Sequence, residues 1–522
     1  MRDCSDGYHF EPKVAVGSFA RMLAEAGPGK ITVRTLRQFD AEAGNVIKRG
    51  DRIRGIRILD RTTGRTERYR GRMFIDATYE GDLSAAAGVP FRLGREGADE
   101  YGEPCAGKIY RWWKHGPDGE GSTYEGDSTI QAYNYRLCLT DDPQNRLPIP
   151  KPQHYDREEF ASLVNDVFEG RNTDARFRQA DSAAIARNRQ RIAAGERTAI
   201  PGDVWGMAKI TSMTRLPNAK MDANNQHLAL LSTDLPEENY PWPTADWAWR
   251  DRFAERLRDY TLGLLWFAQH DEALPEHFRK ACLQWGLAAD EYPDNGGFPR
   301  QVYVREGRRM EGLYFFTAHD ALPEAAGKRP PLHDTSITSS HYALDSHAVR
   351  KREAGRIHLD GFFSHPTAVY TVPYGVMVPR RIENLLFPVA VSGSHVGFST
   401  LRMEPCWMAL GEAAGEAAAL AIDTRTDVRG IDIPELQQRL LENGAVLVYL
   451  RDLQPGDPDY QTVQRLALKG YFPGWEARLD EPIDEAGARL WSSLSGQEIT
   501  ADGKTTRREW LRRLNPNPKQ AQ

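Results

Sequence analysis

At 522 residues the chain is too long for one simple core, and two to four domains are expected. Hydrophobic residues make up 40% and charged residues 27%, which excludes a disordered chain. The formal net charge is −5 and no long basic block occurs, so a nucleic-acid partner has no electrostatic footprint.

The first predicted element is a helix. Phe19, Met22, Leu23 and Ala26 follow helical spacing, Pro12 stands near its start and Gly27 closes it. A short strand is expected around Ile31–Val33. Two β segments follow near Ile53–Leu59 and Glu67–Tyr69, joined by a Thr-Thr-Gly turn. Met73 to Thr78 is an apolar run without alternation, as expected of a strand buried on both faces. No earlier segment reads as its parallel neighbour. A partner is missing, or it arrives from much later in the chain.

Residues 91–365 are rich in aromatics, prolines and loops, with helical tracts from about Glu158 to Ala194 and from Trp247 to Phe267. Trp242, Trp247 and Trp249 could line a cleft for sugar rings, although such clusters more often belong to the core. Strand-like sequence returns at Val376–Val378 and at Leu385–Val391. A loop of small residues follows from Ser392 to Gly397, then a helix opening at Glu404-Pro405 and rich in alanine and glycine. From about residue 426 the sequence is helical and polar. Its Tyr460-to-Trp475 segment is similar to one S-layer homology module, and a helical cap on the main body is the plainer reading.

Three stretches carry a resemblance. They are FIDATYEGDLSAAAGVPFRLGREG at 74–97; IQAYNYRLCLTDDPQNR at 130–146 with PNAKMDANNQ at 217–226 and YVREGRRMEG at 303–312; and ENLLFPVAVSGSHVGFSTLRMEPCWMALGEAAGEAAALA at 383–421. In this order they resemble the FAD-dependent oxidoreductase family of two-domain flavoproteins, distantly similar to the flavin subunit of heterodisulfide reductase. The resemblance spans roughly residues 7–425. It implies an α/β fold: an incomplete FAD-binding, Rossmann-like domain of the glutathione-reductase type, a large inserted α+β substrate domain and a helical tail. The expected divisions are 1–95 and 366–425 for the FAD-binding domain, 96–365 for the substrate domain and 426–522 for the tail.

The sequence departs from the family in lacking a G-x-G-x-x-G turn, whose glycines let the backbone approach a pyrophosphate at a helix N-terminus. Three readings of that gap stay open. Either the start is assigned too far downstream, or a second polypeptide supplies the unit, or the chain is a flavin-free relative.

The resemblance implies FAD as cofactor and hydride transfer with an unidentified small organic substrate. It assigns Asp76, Ala77, Thr78, Gly81 and Asp82 to the phosphate and ribityl region, and Ser392, Ser394, Arg402, Met403 and Gly411 to the ring side. The plain alternatives are a capped strand-to-helix turn for 76–82 and a Gly-Ser loop before a packing helix for the second set. His395 is the candidate proton-handling residue, with Arg402 as its charge partner.

Arg305, Arg308 and Arg309 stand close together. If helical, Arg305 and Arg309 share a face and could grip a carboxylate, whereas ion pairing with nearby acids is the bland reading. Arg309 is the catalytic candidate among them. His341, Asp345 and His347 offer an acid/base pair, with His347 the catalytic candidate; without an H-E-x-x-H motif no metal is expected.

The rivals are a flavin-free binding or scaffold protein, carbohydrate-associated through its aromatics, and a hydrolase using a metal at His341, Asp345 and His347. The five scattered cysteines include no CxxC pair and read as buried fillers. No run of about 18 apolar residues occurs and Met1 to Gly7 is no signal peptide. A cytoplasmic protein without a membrane span is expected, an exported form staying open if the true start lies upstream. Self-association is open as well.

Overall fold

The computed structural model describes Cys4 and residues 8–112, 117–173, 182–196 and 205–514. They form two compact units. One comprises Met1–Arg37, Gly107–Gly307 and Ser346–Ser364; the other Gln38–Ala106, Arg308–Asp345 and His365–Gln522.

The second unit opens with an antiparallel meander, Val46–Arg49, Arg52–Asp60 and Arg65–Tyr69. The Thr-Thr-Gly turn forms as expected. Asp60 accepts from the Thr62 amide (2.8 Å) and the Thr63 hydroxyl (2.8 Å), and Gly64 adopts φ 70°. Ile31–Val33 forms no strand; both ends are exposed and a short strand appears at Arg37–Gln38 instead. With no sheet to bury them, β-branched residues alone do not hold extended pairing.

Phe74–Ile75 pairs in parallel with Leu385–Leu386, so the awaited neighbour does arrive from late in the chain. The amides of Phe74 and Asp76 donate to the carbonyls of Asn384 (2.9 Å) and Leu386 (2.8 Å). The expectation of burial on both faces is corrected. Phe74 and Asp76 are buried, but Ile75 is 40% exposed and Ala77 is exposed, because among the described residues this sheet has only two strands.

Val376–Val378 is not a strand. Tyr374–Met377 is a 3-10 turn following the strand Tyr370–Pro373, which pairs with Ser336–Ser340. The run Leu385–Val391 is extended-paired only over its first two residues. The helix opening at Glu404-Pro405 forms as Glu404–Thr424, with proline in its first turn.

Four helices of the tail, Ile433–Glu442, Tyr460–Leu468, Glu485–Ser495 and Arg507–Leu514, share one continuous apolar core with Phe74, Leu385, Ala413 and Ala417. Trp491, 1% exposed, donates its indole N–H to the Tyr471 carbonyl (2.8 Å).

The first unit is built on a five-stranded antiparallel sheet in the order Thr214–Leu216, Lys220–Ala223, Leu137–Thr140, Gly286–Ala288, Arg146–Leu147. The helix Pro12–Glu25 belongs to this unit, and none of its residues is buried. Trp247–His270 is the expected long helix, its N-terminus capped by Asp246 accepting from the Trp249 amide (2.7 Å). The tract expected over Glu158–Ala194 divides into Ser162–Glu169 and Ser182–Ala193. Gly170 in the left-handed conformation ends the first, and 174–181 lie outside the described residues.

Of the three tryptophans at 242–249, Trp242 is in the core and Trp247 and Trp249 are half-buried. Trp242 is buried against Tyr133 and Phe253, Trp249 stacks on Phe253, and the Arg250 guanidinium lies over Trp247. Cys105, Cys138, Cys282 and Cys406 are buried free thiols; burial pushes Cys138 up to about 12 and Cys406 up to about 11. Among the described residues no helix is long and apolar enough to cross a membrane.

Asn384 offers a direct test of what holds the second unit. Its side chain accepts from the Ile53 amide (2.9 Å) and donates to the carbonyl of Ile53 (2.9 Å), both away from water, and to the part-buried carbonyl of Arg72 (2.8 Å). Asn384→Ala is expected to lower the unfolding free energy by about 3 kcal/mol, since buried backbone groups lose their partners. Equilibrium urea unfolding checks this, and a loss below about 1 kcal/mol contradicts it.

Candidate functional site

In the second unit, the turn that ends the strand Phe74–Ile75 is closed by one carboxylate. Asp76 is 2% exposed and accepts from the amide and hydroxyl of Thr78 (3.3 and 2.7 Å) and of Ser84 (2.8 and 2.9 Å). Burial pushes its carboxyl above the ordinary value against the pull of those four bonds. Gly81, with φ 65°, precedes the helix Asp82–Ala86. Its φ lies in the left-handed region that favours glycine, and a Cβ there would press on the flexible end of the Met310 side chain, 2.4 Å from Cε. Asp82 is buried against Arg308 (2.6 Å). Ala77 and Thr78 are left on the surface.

The stretch expected as a loop from Ser392 to Gly397 becomes a helix after three residues. Ser394 accepts from the Gly397 amide (2.9 Å) and caps His395–Leu401, every residue of which is buried. Ser394 also donates its hydroxyl to Glu103 (2.6 Å), and the His395 amide donates to Glu96 (2.7 Å). Arg402 is ion-paired with Asp345 (2.9 Å), where His395 was expected as its partner. Met403 precedes the helix Glu404–Thr424. Tyr79 packs edge-on against Trp407 at 5.4 Å, which sets the exposed Ala77–Thr78 turn beside the first turns of that helix. Gly411 is half-buried, and no heavy atom lies within 4 Å of where its Cβ would be.

The three arginines do not share a helix. Arg309 opens the short strand Arg309–Met310, and residues 305–308 are irregular. Each guanidinium is buried with its own acid, Arg305 with Asp234 (2.9 Å), Arg308 with Asp82 and Arg309 with Glu96 (2.9 Å). A buried charge is stable only when paired, and three partners in three places pull the segment out of helical register. The bland reading therefore describes these bonds.

Arg309 also donates to the carbonyls of Gly393 (2.8 Å) and Gly94. Glu96 thereby joins Arg309 to the His395 backbone. Burial alone would raise the Glu96 carboxyl, but the Arg309 charge and the His395 amide outweigh it and hold the group below the ordinary value. Among the described residues no arginine or lysine is ion-paired with Glu103. Burial raises it despite the Ser394 hydroxyl and the Ala318 amide (2.6 Å).

In the first unit His347 Nδ1 lies 2.7 Å from Asp234, whose other oxygen meets Arg305. Burial raises the Asp234 carboxyl, yet Arg305 and His347 together bring it below the ordinary value. The expected grouping of His341, Asp345 and His347 is corrected: His341 is exposed, Asp345 is engaged by Arg402, and His347 by Asp234. Close sequence spacing does not converge here because Asp345 and His347 are claimed by different partners and His341 stays at the surface. Among the described residues, the acids that come together as metal ligands would are Glu11, Asp290 and Glu291. The Lys220 ammonium stands among them, 2.7 Å from Asp290 and 2.9 Å from Glu291, and contacts Glu11. That is a socket for a lysine.

A family model described as FAD dependent oxidoreductase matches residues 2–440. The chain belongs to that family. FAD is accordingly its cofactor and oxidoreduction its reaction class. No curated protein and no solved structure matches the chain.

The second unit offers residues that fit part of a flavin. The Ala77–Thr78 turn is exposed beside the helix start at Met403, and no heavy atom stands where a Cβ at Gly411 would be. Ser392 Oγ and Trp407 Nε1 are buried without a hydrogen-bond partner among the described residues. The G-x-G-x-x-G grip for a pyrophosphate is not in the sequence.

Glu96, Glu103 and Asp234 are the side chains that the sequence left unmarked. Glu96 did lie inside a family-like block, between Arg95 and Gly97. A lone acid in a glycine-rich turn was the available signal.

Opposite shifts at Glu96 and Glu103 give a paired test. Glu96, lowered when folded, contributes stability above its unfolded value of about 4.5, and that contribution is lost as pH falls through the folded value. Glu103, raised when folded, contributes below about 4.5 and loses its contribution as pH rises through the folded value. Glu96→Gln, which strands Arg309, should cost about 3 kcal/mol at neutral pH, with the deficit shrinking in acid. Glu103→Gln keeps an acceptor for Ser394 and Ala318 and should gain on the parent as pH rises. Melting temperatures across the acid-to-neutral range check both, and curves parallel to the parent contradict them.

Proposed function

We propose that the second unit carries the flavin at the carboxyl ends of Phe74–Ile75 and Leu385–Leu386, and that the protein transfers a hydride between a small organic substrate and that flavin. The parallel pairing of these two strands carries the reading. It brings the 76–82 turn and the 387–394 segment to one edge, where ligands of open α/β sheets collect. In this reading the first unit is the substrate domain and the S-layer-like tail is part of the flavin-bearing unit.

The flavin, when bound, supplies the two-electron acceptor or donor. Ala77 and Thr78 would border it with backbone groups, Gly81 keeping the turn tight against Met310. Met403 would begin the contact on the other side. There the unpaired amides of the helix Glu404–Thr424 favour negative charge, and Gly411 admits a flat group. Asp76, Asp82, Ser394 and Arg402 act one step back and hold the two segments in place, and Ser392 would offer the flavin its unbonded hydroxyl.

Arg309, fixed between Glu96 and two carbonyls, keeps a positive charge at the 392–395 segment, and His395 handles the proton there. His347, oriented through Nδ1 by Asp234, is assigned the acid/base role toward substrate.

The test is spectroscopic. Purified protein should be yellow, show flavin absorption and release FAD on heat denaturation. A colourless protein that stays colourless after incubation with FAD overturns the reading and favours a binding protein without flavin.

A further inference from the structure

We propose that a cavity of about 400 Å³ lying wholly within the first unit binds a small organic acid, a carboxylate on a compact apolar body, gripped by Arg352 and Asn225. The volume is in the range of small-molecule sites.

Arg352 lines the cavity and spends only one of its nitrogens on the protein. Its Nη1 donates to both oxygens of Asp166 (2.9 and 2.8 Å). Its Nε and Nη2 have no partner among the described residues. These two N–H groups lie on one edge of the guanidinium and form the fork that takes a carboxylate side-on. Asp166, itself 1% exposed, pins the other edge, so the fork is held before any ligand arrives.

Asn225 supplies the second polar group. It is 6% exposed and lines the same cavity, and among the described residues nothing hydrogen-bonds its side-chain amide. In the cavity that Asn225 lines, a ligand oxygen would give that amide a partner.

The remaining wall selects against other chemistries. Leu230, Ala348, Leu359 and Phe362 form a buried apolar cluster that suits a hydrocarbon body. Every acid on the wall already has a cation: Asp234 has Arg305, Glu159 has Arg256 and Glu353 has Arg356. An amine would find no free carboxylate. Arg350 is likewise taken by Asp127 and Asp360, Lys351 by Glu238 and Arg171 by Glu169, so the wall lacks the several free cations a phosphate ester calls for.

The experiment is calorimetric titration of the full chain with benzoate, phenylacetate and hexanoate, beside benzyl alcohol and benzamide as uncharged controls. At least one acid should bind to saturation below about 10 mM, with the controls at least tenfold weaker. Arg352→Lys keeps a cation for Asp166 but removes the fork, and Asn225→Leu leaves the Asp166 pair intact. Each should weaken the acid at least tenfold with the melting temperature retained.

The inference is overturned if none of the acids saturates, if the controls bind as well, or if Asn225→Leu, folded, binds like the parent. The titration involves no flavin. A colourless protein that binds benzoate removes the flavin reading alone, and a yellow one indifferent to acids removes this inference alone.

Discussion

The amides of Phe74 and Asp76 reach the carbonyls of Asn384 and Leu386, and much of the second unit is arranged around those two hydrogen bonds. A parallel pair cannot be closed by a hairpin, so the chain between the strands must leave and return. Here it leaves through the 76–82 turn, and much of what lies between forms a separate compact unit. Asn384 keeps the returning strand in register, bonding sideways to the meander at Ile53 and to Arg72. Register then decides which residues face outward, and Ile75 and Ala77 are among them.

Charge is the second constraint. Arg308, Arg309 and Arg402 are all buried, and each is matched to one carboxylate, Asp82, Glu96 and Asp345. Such pairs do little for net stability compared with apolar packing, but breaking one is expensive. They therefore act as register marks. Asp82 begins the helix after the glycine turn, Glu96 meets the His395 backbone, and Asp345 accepts from the residue that ends the short helix His395–Leu401. The same logic holds Asp234 between Arg305 and His347 in the first unit.

What could be read in advance follows from the range of the interactions. The runs at 73–77 and 385–391 announced strands through composition alone, and Pro405 announced a helix start, because propensity and proline geometry are local. Ser394 misled. Glycine and serine read as loop, while its hydroxyl in fact caps a helix that contains Gly397. Arg309 misled for a longer-range reason. Its spacing from Arg305 suggested a helical face, but its partner Glu96 lies 213 positions away, and no local pattern encodes that pairing. His347 likewise answers to Asp234 rather than to its neighbour Asp345. Spacing rules work when both partners share an element, and these do not.

Glu96 and Glu103 show where such long-range pairing leads chemically. Consecutive residues bind them, the His395 amide one and the Ser394 hydroxyl the other, yet their surroundings push them apart. Arg309 keeps Glu96 anionic; burial without a cation raises Glu103. Of these two acids Glu103, next to Ser394, takes up its proton at the higher pH, while the charge that holds Arg309 persists. When two acids in one site are held at different values, the one that gives and takes protons is distinguished from the one that only holds charge. In this unit that distinction is made by which acid an arginine can reach.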